Sequence, residues 1–192
     1  MNLASLLDLP AMIVPDALVL IDTTSADGAR EVTYEELRSA VSLTAGLLTE
    51  LGVTQGDRVG VFATNSCATL ESLFAISAVG AAMVPMNYRA ADEEVTHLLA
   101  DSGAKVLFTE TRYRGLIERC RPDSLEHIIY LVEDYAQRRD AAEEFPLVVD
   151  VEDDELAALL YTSGTTSLPK GVKLTHGALT GYIMGANDAA DG

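Results

Sequence analysis

Apolar residues recur along the chain in two alternating rhythms. Leu37, Ala40, Val41, Thr44, Leu48 and Leu51 follow helical spacing until Gly52 ends the pattern, and Thr33 with Glu36 forms a capping box in front of them. A packing helix is predicted there. A second helix is predicted where Asn65 and Ser66 offer a cap and Leu70, Leu73, Phe74, Ser77 and Ala78 share one face before Gly80. A third begins near Ala91, with Asp92, Glu93 and Glu94 at its positive end and Val95, Leu98 and Leu99 facing inward. His97 on that helix is expected to be an exposed or satisfied bystander. Shorter runs rich in β-branched and apolar residues separate the helices: 57–62, 82–85, 105–109, 127–132, 157–161 and 172–174 read as strands. Segments 17–22 and 31–33 read as a surface hairpin around the turn-rich spacer 23–28.

A short helix centred on Leu116 and Ile117 lies between the strands 105–109 and 127–132. Strand and helix thus exchange at intervals short enough for βαβ units. The expected fold class is α/β, with a mostly parallel sheet flanked by helices on both faces. The acidic stretch 133–155 reads as a solvated connection, within which Pro146 and residues 147–151 mark either an added edge strand or a passage between layers. A last helix is predicted to start at Thr175, to run through Leu179, Tyr182 and Ile183, and to fade over 187–192.

Candidate chemistry gathers at 161–172, Tyr-Thr-Ser-Gly-Thr-Thr-Ser-Leu-Pro-Lys-Gly-Val, between two apolar strands. Gly164 and its small neighbours let backbone N–H groups turn toward an anion, the Ser and Thr hydroxyls add donors, and Lys170 adds a point charge. The stretch reads as a phosphate-holding loop. It is not a Walker loop, because Pro169 takes the second glycine position and Gly171 follows the lysine where Ser or Thr would bind magnesium. It also joins strand to strand, whereas a Walker loop opens a helix. A plain Ser/Thr/Gly linker would need neither a lysine set between proline and glycine nor apolar strands at both ends.

Charge changes the picture by exclusion. A formal net charge of −17 argues against a general nucleic-acid surface, so a phosphate ligand must be held locally. Lys170 and Lys173, with His176 as a further candidate, make the cationic cluster near the loop. Cys67 and Cys120 are too few for a disulfide framework, show no zinc spacing and read as ordinary partly buried thiols. No apolar run approaches the ~20 residues of a membrane span, and the N-terminus lacks a signal-peptide layout. The expected location is the cytoplasm.

Residues 162–170, with Tyr161 before and Gly171-Val172 after, resemble the phosphate-loop signature of the adenylate-forming superfamily: acyl- and aryl-CoA synthetases, peptide-synthetase adenylation domains and luciferases. The resemblance extends to Val32-Thr33-Tyr34-Glu35-Glu36-Leu37, to Gly80-Ala81-Ala82-Met83-Val84-Pro85-Met86-Asn87 and to Leu174-Thr175-His176. Ser167 departs from it, standing where the family usually has glycine.

The resemblance implies that 1–192 is the N-terminal subdomain of an adenylation domain, ending just after the phosphate loop at 161–172, with later subdomains absent. It implies ATP and a carboxylic acid as substrates, Mg2+ as metal and coenzyme A as co-substrate of the full-length enzyme, an AMP-forming acid–thiol ligase of the kind that serves fatty acid metabolism. Thr162, Ser163, Gly164, Thr165, Thr166, Ser167, Leu168, Pro169 and Lys170 would hold the nucleotide; Lys170 and Thr166 would be catalytic, with Thr166 also at the metal, and Leu168 and Pro169 would shape the loop. Met86-Asn87-Tyr88-Arg89 leans toward the acyl- and aryl-CoA synthetase branch. The chain alone is then expected to be inactive and to expose an apolar face where the remainder docks, favouring self-association. The alternative is a stand-alone phosphate-binding or assembly module without catalysis.

Overall fold

The computed structural model describes residues 1–24, 28–147, 149–162 and 168–190, the last four of these by backbone alone. Helix α1 (Ser5–Ile13) precedes a hairpin of β1 (Leu18–Asp22) and β2 (Arg30–Thr33). Then come α2 (Tyr34–Glu50), β3 (Arg58–Phe62), α3 (Cys67–Ala78), β4 (Ala82–Pro85), α4 (Asp92–Ser102) and β5 (Val106–Thr109). A 3-10 turn (Thr111–Tyr113), α5 (Arg114–Cys120), β6 (His127–Tyr130) and α6 (Tyr135–Asp140) lead to β7 (Leu156–Thr162), β8 (Lys170–Thr175) and α7 (His176–Ala190).

The main sheet has the order β6-β5-β3-β4-β7-β8. All neighbours pair in parallel except β7 and β8, so the sheet is mostly parallel with one antiparallel edge. Alternation along the strands divides the core between its two faces. Val59, Val61, Val106, Phe108 and Ile129 cluster with Val41 and Leu48 of α2 and Ile76 of α3. Phe62, Val84 and Leu107 cluster instead with Val95, Leu98 and Leu99 of α4 and Ile117 of α5.

Local signals account for several helix starts. The capping box closes on α2, where Glu36 N–H donates to the Thr33 hydroxyl at 3.2 Å and Thr33 N–H to the Glu36 carboxylate at 2.8 Å. Ser66 caps α3 through Thr69 N–H at 3.2 Å, and Thr175 caps α7 through Ala178 N–H at 3.2 Å. Among the described residues, no helix is long and apolar enough to cross a membrane.

Two helices lie outside the pattern read from the sequence. Helix α1 has no side-chain cap and carries Pro10 inside it, and it forms because Leu7 and Ala11 are buried and Asp8 pairs with Arg38 of α2 at 3.0 Å. Helix α6 interrupts the acidic stretch, which is therefore not simply a solvated connection. Its Tyr135 is 2% exposed and donates to Glu71 of α3 at 2.6 Å, and Arg139 reaches the same carboxylate at 3.0 Å. The described residues of 147–151 form no strand: Leu147 is buried, and the carbonyls of Val149 and Asp150 accept from Asn2 and Gln55. They are a passage under the core, not an edge. Both cysteines are free and buried more deeply than expected; burial first, then the adjacent Glu71 carboxylate, pushes the Cys67 thiol up to about 12.

Candidate functional site

The loop proposed to hold phosphate is closed by an antiparallel ladder. Thr162 faces Lys170, Tyr161 faces Gly171, Leu160 faces Val172 and Leu159 faces Lys173. Thr162 and Lys170 are the last paired residues before the connection 163–169, and both are exposed. The strand-to-strand setting read from the sequence is therefore present, and β8 extends antiparallel beside a β7 that runs parallel to β4. This sends the loop out at the carboxyl edge of the parallel strands, the edge where open α/β sheets bind ligands. Ser163, Gly164, Thr165, Thr166 and Ser167 lie outside the described residues. Thr162, Leu168, Pro169 and Lys170 are described, with Leu168 exposed and Pro169 half-buried.

The cationic cluster expected around the loop does not assemble. Successive side chains of a strand point to opposite faces, so Lys173, three residues from Lys170, leaves β8 on the other side. His176 sits at the far end of β8, fully buried, with Nδ1 accepting from Leu3 N–H at 3.4 Å. Burial holds its imidazole below the ordinary histidine pKa, favouring the neutral ring. Lys170 is the cation that the hairpin presents at the loop. Its face also carries Leu160 and Val172, both exposed, and α7 exposes Tyr182 and Met184.

Helix α4 contributes two contacts that sequence reasoning missed. His97 Nε2 lies 2.8 Å from the Pro169 carbonyl oxygen, and since a carbonyl only accepts, His97 is the donor. One turn later, Asp101 accepts from the Tyr161 hydroxyl at 2.6 Å, and the His97 and Tyr161 rings meet edge to face with centroids 6.3 Å apart. Burial first, then the Asp101 carboxylate, raises the Tyr161 phenol above its usual range, so it stays a donor. His97 is a satisfied residue, as expected, but its partner is the loop itself. Its four-residue spacing from Asp101 places both on one face of α4, but nothing in that spacing points to Tyr161 or Pro169.

Strand order reverses at the carboxyl ends of β3 and β5, which lead to β4 on one side and β6 on the other. A cleft of about 600 Å³ opens nearby, lined among others by Asp22, Arg30, Glu71, Glu110, Arg112 and Arg139. Two of its basic groups are matched by acids: Arg112 pairs with Glu110 at 2.7 Å, and Arg139 with Glu71 at 3.0 Å and Asp140 at 2.8 Å. Burial opposes ionisation of Glu110, but donors from Thr64 and Arg112 outweigh it and hold the carboxyl below its usual range. Among the described residues, no group of His, Cys, Asp and Glu is placed to hold a metal ion.

Comparison with known proteins shows the family. Residues 10–191 match the family described as AMP-binding enzyme. A feruloyl-CoA synthase from Amycolatopsis sp is 39% identical over 158 residues, covering 82% of this chain and 31% of that protein. The fatty acid–[acyl-carrier-protein] ligase ScoC of Streptomyces coeruleorubidus is 38% identical over 148 residues, covering 77% of this chain and 28% of that protein. Among solved structures, the N-terminal domain of FACL13 from Mycobacterium tuberculosis superimposes with a TM-score of 0.83 at 28% identity, over 92% of this chain and 44% of that one. The chain thus spans about a third of the length of the curated relatives it matches.

Proposed function

The chain belongs to the AMP-binding enzyme family, and from that membership we propose that it is the N-terminal subdomain of an ATP-dependent acid–thiol ligase. The observation that carries this reading is the hairpin: the paired and exposed Thr162 and Lys170 close the connection 163–169 at the carboxyl edge of the parallel sheet. In the proposed reaction a substrate carboxylate attacks the α-phosphate of ATP, forming an acyl-adenylate and releasing pyrophosphate, and a thiol then takes the acyl group. The thiol is coenzyme A or a carrier-protein thiol, since relatives of both kinds match. The acid is aromatic or fatty, as the names of these relatives suggest. We place the reaction in the cytoplasm.

Negative charge accumulates on the leaving pyrophosphate in the transition state, and preorganised donors stabilise it without reorganising. Lys170 supplies a fixed positive charge at the mouth of the loop, and the hydroxyls of Thr162, Ser163, Thr165, Thr166 and Ser167 with the backbone around Gly164 supply neutral donors. Thr166 is the hydroxyl proposed to contact Mg2+, which when bound would neutralise phosphate charge. Leu168 and Pro169 set the course of the chain into β8. The exposed Leu160 and Val172 beside Lys170 are proposed to meet the remainder of the adenylation domain and to favour self-association without it.

ATP–pyrophosphate exchange by an enzyme carrying this chain, run with a panel of aryl and fatty acids, tests the proposal. Acid-dependent exchange is expected with at least one acid, while the 192 residues alone give no acyl-adenylate. Pyrophosphate binding without acid-dependent exchange would instead favour a phosphate-binding module without catalysis.

A further inference from the structure

We propose that α4 is a clamp for the phosphate loop, with His97 and Asp101 as its positioning residues; this rests on the loop reading given above. The two side chains sit one helical turn apart and each takes one limb of the loop. Asp101 holds Tyr161, the neighbour of Thr162, and His97 holds the carbonyl of Pro169, the neighbour of Lys170. Fixing the Pro169 carbonyl fixes the plane of the peptide that leads into Lys170, and thus the direction in which Lys170 leaves the strand. Fixing the Tyr161 ring sets the register of the opposite limb.

The clamp acts from behind. A side chain at Gly171 would point toward Leu159 and Tyr161, on the α4 side, whereas Lys170 and Thr162 alternate to the other face. The contacts therefore occupy none of the space in front of Lys170. The support is rigid, because Val95, Leu98 and Leu99 anchor α4 with at most 1% exposure and its last carbonyl, that of Ser102, accepts from Arg58 at 2.9 Å. A loop held at both limbs loses less conformational freedom when an anion binds, so the clamp raises affinity by preorganisation.

The test uses an enzyme carrying this chain, inorganic pyrophosphate with Mg2+, and titration calorimetry, with thermal unfolding run on every variant. His97→Ala and Tyr161→Phe are each expected to weaken pyrophosphate binding about tenfold, the effect of losing one well-placed hydrogen bond. Tyr161→Phe removes a single hydroxyl and keeps the ring, so it remains informative if His97→Ala lowers stability. His97→Gln, whose amide N–H2 reaches the same carbonyl, is expected to restore most of the affinity, which a role in bulk packing does not predict. If Lys170→Ala abolishes binding while His97→Ala and Tyr161→Phe bind as wild type, the clamp is refuted and the phosphate loop stands. If the wild-type enzyme does not bind pyrophosphate, the loop reading falls and the clamp with it.

Discussion

The hydroxyl of Tyr135 donates to the carboxylate of Glu71 over 2.6 Å, and neither residue is more than 3% exposed. Arg139 reaches the same carboxylate at 3.0 Å, the Cys67 thiol donates to it at 3.2 Å, and Thr44 lies 2.7 Å from the Tyr135 hydroxyl. This network ties α6 to α2 and α3. Removing one member of a buried charged group leaves its partners without compensation. Glu71→Ala is therefore expected to cost about 3–5 kcal/mol, against about 1–3 kcal/mol for Tyr135→Phe. Urea unfolding gives both numbers, and a Glu71→Ala loss below that of Tyr135→Phe would contradict the charge-centred reading.

Gly46 lies in α2 where a Cβ would collide with the carbonyl oxygen of Glu143 and approach its carbon to 3.0 Å. In an open helix, Gly→Ala stabilises by about 0.5–1 kcal/mol. Here backbone stands in the way, so Gly46→Ala is expected to destabilise by about 1–3 kcal/mol and to lower the Tm by about 5 °C. An unchanged or higher Tm would show that the segment after α6 does not pack against α2 as described.

Acid sensitivity is expected from His176. Burial depresses its folded pKa below the ordinary value of 6.5, so the unfolded chain takes up a proton before the folded one does. Below about pH 6.5 the unfolded state binds more protons and stability rises with pH. The contribution is fully present above that value and is lost as pH falls toward the lower folded pKa. His176→Gln is expected to flatten the dependence of the urea midpoint between about pH 5 and 7. An identical slope in the variant would remove His176 as the source.

Much of this architecture was legible because its signals are local. The capping box at Thr33 and Glu36, the caps at Ser66 and Thr175, and the alternation of short apolar runs with helical spacing lead to the mostly parallel sheet and to the strand–loop–strand setting of Lys170. What escaped depends on partners distant in sequence. Helix α6 is six residues long, too short to show a period, and is held by Glu71 on α3. Helix α1 carries a proline and no side-chain cap. His176 resembled a loop cation by its nearness to Lys170 in sequence, but the length of β8 carries it into the core. His97 meets Pro169 across 72 positions of sequence, a contact that no local pattern encodes.

Lys170 and the hydroxyl loop are proposed to stabilise a leaving pyrophosphate. The most direct test is ATP–pyrophosphate exchange in an enzyme carrying this chain, comparing wild type with Lys170→Ala and Thr166→Val. Each substitution removes a group proposed to meet developing phosphate charge, and a fall of about 10²–10³-fold is expected from Lys170→Ala with a smaller fall from Thr166→Val. Wild-type exchange rates in both variants would contradict the account.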